Sequence, residues 1–266
     1  MAERSVLVTG ASSGIGAACA ERLARKGWKV FAGVREAGAA PQGTTELLLD
    51  VTDGGAISRA AETVGERLDG LVDNAGIVLA CPLEYLPLDE LRRQLEVNVV
   101  GQLAVIQSLL PAIRAAHGRV VLIGSIAGTS ALPFLGPYAI SKFSLEALAD
   151  SLRVELEPDG VHVAIVRPGT IDTPIWRKPQ PLADMLPPEA IERYGARMAS
   201  MRSVASARSK NAAPVDSVVD AIEHALSDER PRTRYRVGRD AHIRAAIEKL
   251  PDRLRDRVIR RALLGG

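Results

Sequence analysis

Cysteine is nearly absent from this chain. Only Cys19 and Cys81 occur in 266 residues, which excludes a disulfide framework and a tetrahedral thiolate metal site. No apolar run reaches the ~18 residues of a membrane span, and the first residues lack the charged and apolar regions of a signal peptide. No His, Cys or carboxylate cluster has metal-ligand spacing, so no metal is expected. The formal net charge of +2 suggests no nucleic-acid partner. A reducing, cytoplasmic setting is the plain reading. Apolar material is ample, with 47% hydrophobic residues and a mean hydropathy of +0.06. That suffices for a sizeable core, in one large α/β domain or two small ones.

The stretch 125–142 (SIAGTSALPFLGPYAISK) carries the strongest chemical signal. Tyr138 and Lys142 are four residues apart, so on a helix they share a face with the ammonium beneath the phenol. A free phenol titrates near ~10, and a nearby cation favours the phenolate. Ser125 closes an apolar run and offers a hydroxyl for a substrate oxygen. Taken singly, Tyr138 and Lys142 also suit a solvated helix face, and Ser125 also suits a cap for the next turn.

Earlier in the chain, 5–9 (SVLVT) predicts a strand and 9–16 (TGASSGIG) a glycine-rich turn, followed by an amphipathic helix that stops at Gly27. Strand, turn and helix together suit a nucleotide pyrophosphate, which the free N–H groups of a helix N-terminus would bind. A glycine-rich turn without a ligand is the bland alternative. A second strand, 29–34, ends in Arg35-Glu36. An arginine there suits a ribose 2′-phosphate, whereas an acidic residue suits a 2′-hydroxyl. NADP(H) is therefore preferred, with NAD(H) as the alternative and Glu36 keeping the question open. A third strand, 45–49, leads into Asp50 and Val51, which suit an adenine amino group and ring; Asp50 also suits a helix cap, a task open to Asp53 or Thr52. A helix is predicted over 53–68 and a fourth strand over 70–76 (GLVDNAG).

The span 89–116 predicts one long helix in which Asn98 and Gly101 are local misfits. They suit either a functional kink whose freed carbonyl holds a water, or close helix packing. Strands follow at 118–124 and 161–166, flanking a helix opened by Pro137. The alternation predicts a parallel sheet covered by helices on both faces, with ligands beyond the carboxyl ends of the strands, where Ser125 lies.

Thr9-Gly10-x-x-x-Gly14-Ile15-Gly16, Asn74-Ala75-Gly76, Asn98, Ser125, Tyr138-x-x-x-Lys142 and Pro168-Gly169 resemble, in order and spacing, the short-chain dehydrogenase/reductase family. The resemblance covers roughly 5–175. Asp73 departs from it, since a second Asn is commoner there. The resemblance implies a single-domain α/β protein over 1–266: a three-layer, Rossmann-type, doubly wound parallel sheet of about seven strands, assembled as a homodimer or homotetramer. It implies Tyr138 as general acid/base, Lys142 lowering the phenol's pKa and holding ribose hydroxyls, Ser125 on the substrate oxygen and Asn98 on a linking water. It further implies Gly10, Ser12, Ser13, Gly14, Ile15 and Gly16 at the pyrophosphate, Asp50 and Val51 at adenine, and Asn74, Ala75 and Gly76 on the ribose side. Pro168, Gly169, Ile171 and Thr173 fall beside the carboxamide.

Segments 79–88, 128–137 and 175–186 should border the substrate, and their apolar content suits a hydrophobic ketone, aldehyde or alcohol. Phe134 and Trp176 either stack on a flat substrate or pack a lid on itself. The layout is similar to the branch with steroid and retinol dehydrogenases. Residues 175–213 predict an interrupted helical lid, and 214–227 a helix bearing His224, read as a surface or packing residue. From 230 to 266 the local charge balance is +8 against −6 for the remainder. Residues 239–266 form a basic helical extension broken at Pro251, suited to packing with solvated charges or, less readily, to an anionic membrane surface. The expected activity is NAD(P)(H)-dependent hydride transfer; the rival is a non-catalytic NAD(P)-sensing protein on the same fold.

Overall fold

Seven short strands make one parallel sheet: β1 (Ser5–Thr9), β2 (Lys29–Val34), β3 (Thr45–Leu48), β4 (Gly70–Asp73), β5 (Arg119–Ile123), β6 (His162–Pro168) and β7 (Arg234–Val237), in the order β3-β2-β1-β4-β5-β6-β7. This is a computed structural model that describes residues 4–173, 186–209 and 211–264. Strands β1 and β5 are buried on both faces, which is why they read as continuous apolar runs. Leu7, Val120, Leu122 and Ile165 face the layer formed by helices α2 (Gly54–Val64), α4 (Gly101–Ala115) and α5 (Gly136–Glu155). Val6, Val8, Val121, Ile123 and Val166 face α1 (Gly14–Arg25) and, after α6 (Pro188–Ser209), α7 (Val215–Ser227). The result is the three-layer, single-domain Rossmann-type fold anticipated. Strand order reverses between β1 and β4, and that reversal opens a crevice at the carboxyl ends of the strands.

The long helical pattern after residue 88 is divided. Helix α3 (Leu88–Leu95) runs into a π-helical turn, Glu96–Val100, before α4 begins. One residue too many is carried in that turn, with Asn98 at its centre, so the expected kink is a π-bulge. Gly101 serves packing as well, because a Cβ there would lie 2.6 Å from the carbonyl oxygen of Val51. By length and composition alone Leu88–Ala115 would pass as a membrane span, but Val105, Ile106, Leu109 and Ile113 pack in the core.

Some boundaries differ from expectation: β4, expected over 70–76, ends at Asp73. Helix α2 stops at Val64 because Gly65 turns left-handed at φ +84°. Within the expected lid, residues 188–209 form a 22-residue helix. Its prolines fall at or before the start, where a missing N–H is harmless, and Gly195 is tolerated inside. The part of the expected lid at 175–185, Trp176 included, lies outside the described residues. The basic extension is broken near Pro251 as anticipated, into α8 (Arg239–Ile247) and α9 (Asp252–Leu264). His224 packs against Tyr235, its Nδ1 lying 2.9 Å from the phenolic oxygen.

Candidate active site

The glycine turn is built for close backbone approach. Gly10 holds φ +64°, and a Cβ on Gly16 would sit 2.3 Å from the Gly10 carbonyl oxygen. Ser13 stands at the N-cap of α1 without a capping side-chain bond, and no acidic residue occupies the first turn. The amide dipoles of that turn are therefore not neutralised from within the helix, and Ser12 and Ser13 are exposed beside them. Asn74 fastens the turn from β4, donating through Nδ2 to the carbonyls of Thr9 (3.0 Å) and Gly10 (3.2 Å). The Thr9 hydroxyl accepts from the backbone N–H of Asn74 (2.8 Å) and Ala75 (2.9 Å) and donates to Asp73 Oδ1 (2.9 Å). An anionic dinucleotide fits this cradle.

Arg35 is exposed at the end of β2, and among the described residues no ion pair ties it to Glu36. Asp50 accepts from the Thr52 amide (2.9 Å) and hydroxyl (2.7 Å), which hold its carboxyl below the ordinary range, with a smaller contribution from Arg35. Asp53, not Asp50, caps α2. Val51 is only 5% exposed and packs into the core, so little of its side chain is left to lie on an adenine ring.

Strand β5 delivers Ser125 to the crevice. Its hydroxyl accepts from the Ala127 amide at 3.1 Å, capping the next turn, and is also hydrogen-bonded to the Tyr138 hydroxyl. Capping and partnership with Tyr138 thus coexist. Pro137 and Tyr138 lie in the first turn of α5, and Lys142 follows one turn later. The Lys142 ammonium lies 5.7 Å from the Tyr138 ring centroid and donates to the carbonyl oxygen of Ile123 at 2.8 Å.

The electrostatics differ from the sequence expectation. Burial pushes the Tyr138 phenol up to about 12, opposed by the Ser125 hydrogen bond, so the phenol is not depressed here. Burial brings Lys142 down to about 8, opposed by the charge of Asp73. Burial also raises Asp73 to about 7, opposed by Thr9 and then by Lys142. The lysine's strongest charge partner is thus a carboxyl that the motifs did not single out.

Asn98 is buried behind these groups. Its Oδ1 accepts from the Ile77 amide (2.8 Å), and its Nδ2 donates to the Ile77 carbonyl (2.9 Å) and to Ser141 Oγ (3.0 Å). Ser141 in turn donates to the Tyr138 carbonyl at 2.8 Å. The π-turn therefore braces the first turn of α5. A cleft of about 70 Å³ gathers Ile15, Asn74, Gly76, Ser125, Tyr138, Lys142, Pro168, Gly169, Ile171 and Thr173 from segments far apart in sequence. Gly10, Gly14, Gly16 and Ala75 build its cradle, Asn98 its backing, and Ser12, Ser13, Arg35, Asp50 and Val51 lie beyond its lining. The structure adds Thr9, Asp73, Ser141 and the Ile123 carbonyl to the site. Thr9 opens the glycine motif and Asp73 is its departure before Asn74, so both were visible in the sequence without a role, whereas nothing there marked Ser141.

Phe134, partly buried, packs against a small cluster of Cys81, Leu186, Ala190 and Met198, its ring edge-on to Tyr194 at 5.9 Å. This contact places Phe134 beside α6.

A nucleotide cradle, a hydrogen-bonded Ser–Tyr pair and a buried lysine on this fold define an oxidoreductase of CH–OH and C=O groups that uses NAD(P). A family profile described as short chain dehydrogenase matches residues 4–181. Over 186 residues the chain is 45% identical to a 3-amino-tetrahydro-pyrrolizinone reductase of Xenorhabdus hominickii, covering 67% of this chain and 65% of that protein. It is 36% identical over 273 residues to an NADPH-dependent 3-dehydrocapnine reductase of Ornithobacterium rhinotracheale, covering 96% and 95%. It is also 37% identical over 257 residues to the 17-beta-hydroxysteroid dehydrogenase type 1 of Homo sapiens, covering 88% and 77%. A short chain dehydrogenase from Burkholderia cenocepacia in complex with NADP superposes with a TM-score of 0.76 at 27% identity, covering 98% of both chains. The chain belongs to the short-chain dehydrogenase/reductase family and resembles its steroid- and retinol-dehydrogenase branch.

Proposed function

We propose that the protein is an NADP(H)-preferring reductase or dehydrogenase that interconverts a hydrophobic ketone or aldehyde and its alcohol. The observation that carries this reading is the hydrogen-bonded pair of Ser125 and Tyr138, with Lys142 one helical turn away, in the cleft beside the glycine turn. A nicotinamide dinucleotide held here would supply or take up the hydride. Gly10, Ser12, Ser13, Gly14, Ile15 and Gly16 would hold its pyrophosphate, Arg35 its 2′-phosphate and Asp50 the adenine side, with Val51 contributing backbone rather than its buried side chain. Asn74, Ala75 and Gly76 line the ribose, and Pro168, Gly169, Ile171 and Thr173 face the carboxamide.

Ser125 donates to the carbonyl oxygen and orients it. In reduction Tyr138 gives that oxygen its proton, and in oxidation Tyr138 takes the proton back; such a group contributes ~10²–10⁴-fold. A phenol held near 12 resists ionisation, a cost that the Ser125 hydrogen bond opposes, and the Lys142 ammonium is placed to bind the ribose hydroxyls. Asn98 holds the far side of the site and a linking water. Helix α6 borders the substrate as a lid. Apolar side chains in 79–88 and 128–137 favour an apolar substrate.

The protein is read as cytoplasmic and as a homodimer or homotetramer. Ile140, Phe143, Ala147 and Val154 form an exposed stripe along α5, at spacings of three, four and seven residues, and Val100 is exposed nearby. NADPH consumption with a panel of apolar ketones tests the activity. Turnover of apolar ketones supports it; cofactor binding without turnover of any carbonyl compound would favour the sensor.

A further inference from the structure

Helix α8 starts just after β7, and two of its side chains reach back over the crevice. Asp240 Oδ2 accepts from the backbone N–H of Thr170 at 2.7 Å and from its hydroxyl at 2.8 Å. The other carboxylate oxygen lies so near Gly169 that a Cβ there would be 2.1 Å from it. Gly169 is therefore required by the carboxylate, not only by a ligand. One turn further along α8, Arg244 donates from Nε to Ser130 Oγ at 3.2 Å and from its guanidinium to the Ser130 carbonyl. Asp240 and Arg244 are spaced to share one helix face, and Ala241 between them is fully buried.

The two anchors hold opposite walls. Thr170 belongs to the turn 168–173 after β6, which supplies Pro168, Gly169, Ile171 and Thr173 to the cleft. Ser130 belongs to the turn that Ser125 begins after β5, closed by its own amide bonding to the Ile126 carbonyl at 3.0 Å. Arg244 has lost most of its water for this contact: burial pulls its guanidinium down to about 10, with Arg208 adding to the fall and Asp240 and Glu248 opposing it. A desolvated arginine fixed to one serine behaves as an anchor rather than a solvated surface charge.

We propose that α8 is a clasp across the crevice, in which Asp240 and Arg244 are positioning residues that hold the 168–173 turn and the 125–130 turn at a fixed separation. This rests on the cofactor and catalytic roles assigned above. Asp240 acts through Thr170 on the nicotinamide half of the cofactor, and Arg244 acts through Ser130 on the placement of Ser125. The basic extension is thereby part of the working site.

The test uses the full chain and two probes, NADPH and 2′-phospho-ADP-ribose, which lacks the nicotinamide. Asp240→Ala should weaken NADPH about tenfold, as loss of two charge-assisted hydrogen bonds would, and leave 2′-phospho-ADP-ribose unchanged. Asp240→Asn, which keeps an acceptor oxygen at Thr170, should restore most of the NADPH affinity. Arg244→Gln should lower kcat about tenfold through misplacement of Ser125, with NADPH affinity unchanged, and it tests the clasp even if Asp240→Ala does not fold. Equal losses for both probes, or wild-type behaviour in Asp240→Ala and Arg244→Gln, would overturn the clasp alone. Failure of the wild-type chain to bind either NADPH or NADH would overturn the cofactor reading and the clasp with it.

Discussion

The ammonium of Lys142 is tied to the carbonyl oxygen of Ile123 at 2.8 Å, so the lysine on α5 is pinned to the last residue of the strand that delivers Ser125. Two catalytic candidates from different elements are thereby set by one bond. Asp73, at the end of the neighbouring strand β4, supplies the opposing charge. Its Oδ2 is buried without a partner, and only its Oδ1 is satisfied, by Thr9.

Asp73 links that pair to pH. Its native carboxyl titrates near 7, above the ordinary 3.8, because burial disfavours the charge. The stability it contributes is present below pH 3.8 and is lost as pH rises towards 7. Asp73→Asn should flatten the stability profile in that window, measured by urea unfolding at several pH values. It also removes the charge that keeps a proton on Lys142, now near 8. The basic limb of the kcat/KM profile should therefore move to lower pH. An unmoved limb would mean that Asp73 does not govern Lys142.

Gly16 has no room for a methyl group, with the Gly10 carbonyl oxygen 2.3 Å from the site of a Cβ. Gly16→Ala should destabilise the fold by about 1–3 kcal/mol and abolish high-affinity cofactor binding. Thermal unfolding with and without NADPH reads both effects, since a ligand that no longer binds no longer raises Tm.

Glu146 sits one turn beyond Lys142 and pairs with Arg167 at the end of β6, Nε to Oε1 at 2.7 Å. The two side chains are only 12% and 9% exposed. Glu146→Gln leaves Arg167 buried without its counter-charge, which costs roughly 3 kcal/mol, although Arg234 nearby loses a partner too. Denaturant unfolding should show a lower midpoint with an unchanged slope.

Arg35 is exposed where a ribose 2′-phosphate would lie. Arg35→Ala should cost NADPH about tenfold or more in affinity, as loss of a charged hydrogen bond does, while NADH binding stays as it was. Equal effects on both cofactors would assign the arginine to another task.

Much of the fold was legible because its signals are local. Runs such as SVLVT and RVVLI read as buried strands, and Gly27 and Pro137 punctuate helices at positions where their backbone chemistry belongs. The Tyr138–Lys142 spacing and the position of Ser125 placed the centre of the site. Asn98 and Gly101 stood out as misfits, but the π-turn that reconciles them depends on Val51 and Ile77 approaching from elsewhere. Long-range partners were out of reach. Asp240 meets Thr170 across 70 residues and Arg244 meets Ser130 across 114, and no local pattern marks either contact. The direction of the Tyr138 shift was likewise hidden, because helical spacing carries no information about burial.

The most direct measurement is NADPH binding and ketone turnover by Tyr138→Phe beside the wild-type chain. The account predicts NADPH affinity close to wild type and turnover reduced about 10²–10⁴-fold, the share of a positioned proton donor. Turnover at the wild-type rate in Tyr138→Phe would contradict the assignment of Tyr138 as the general acid/base.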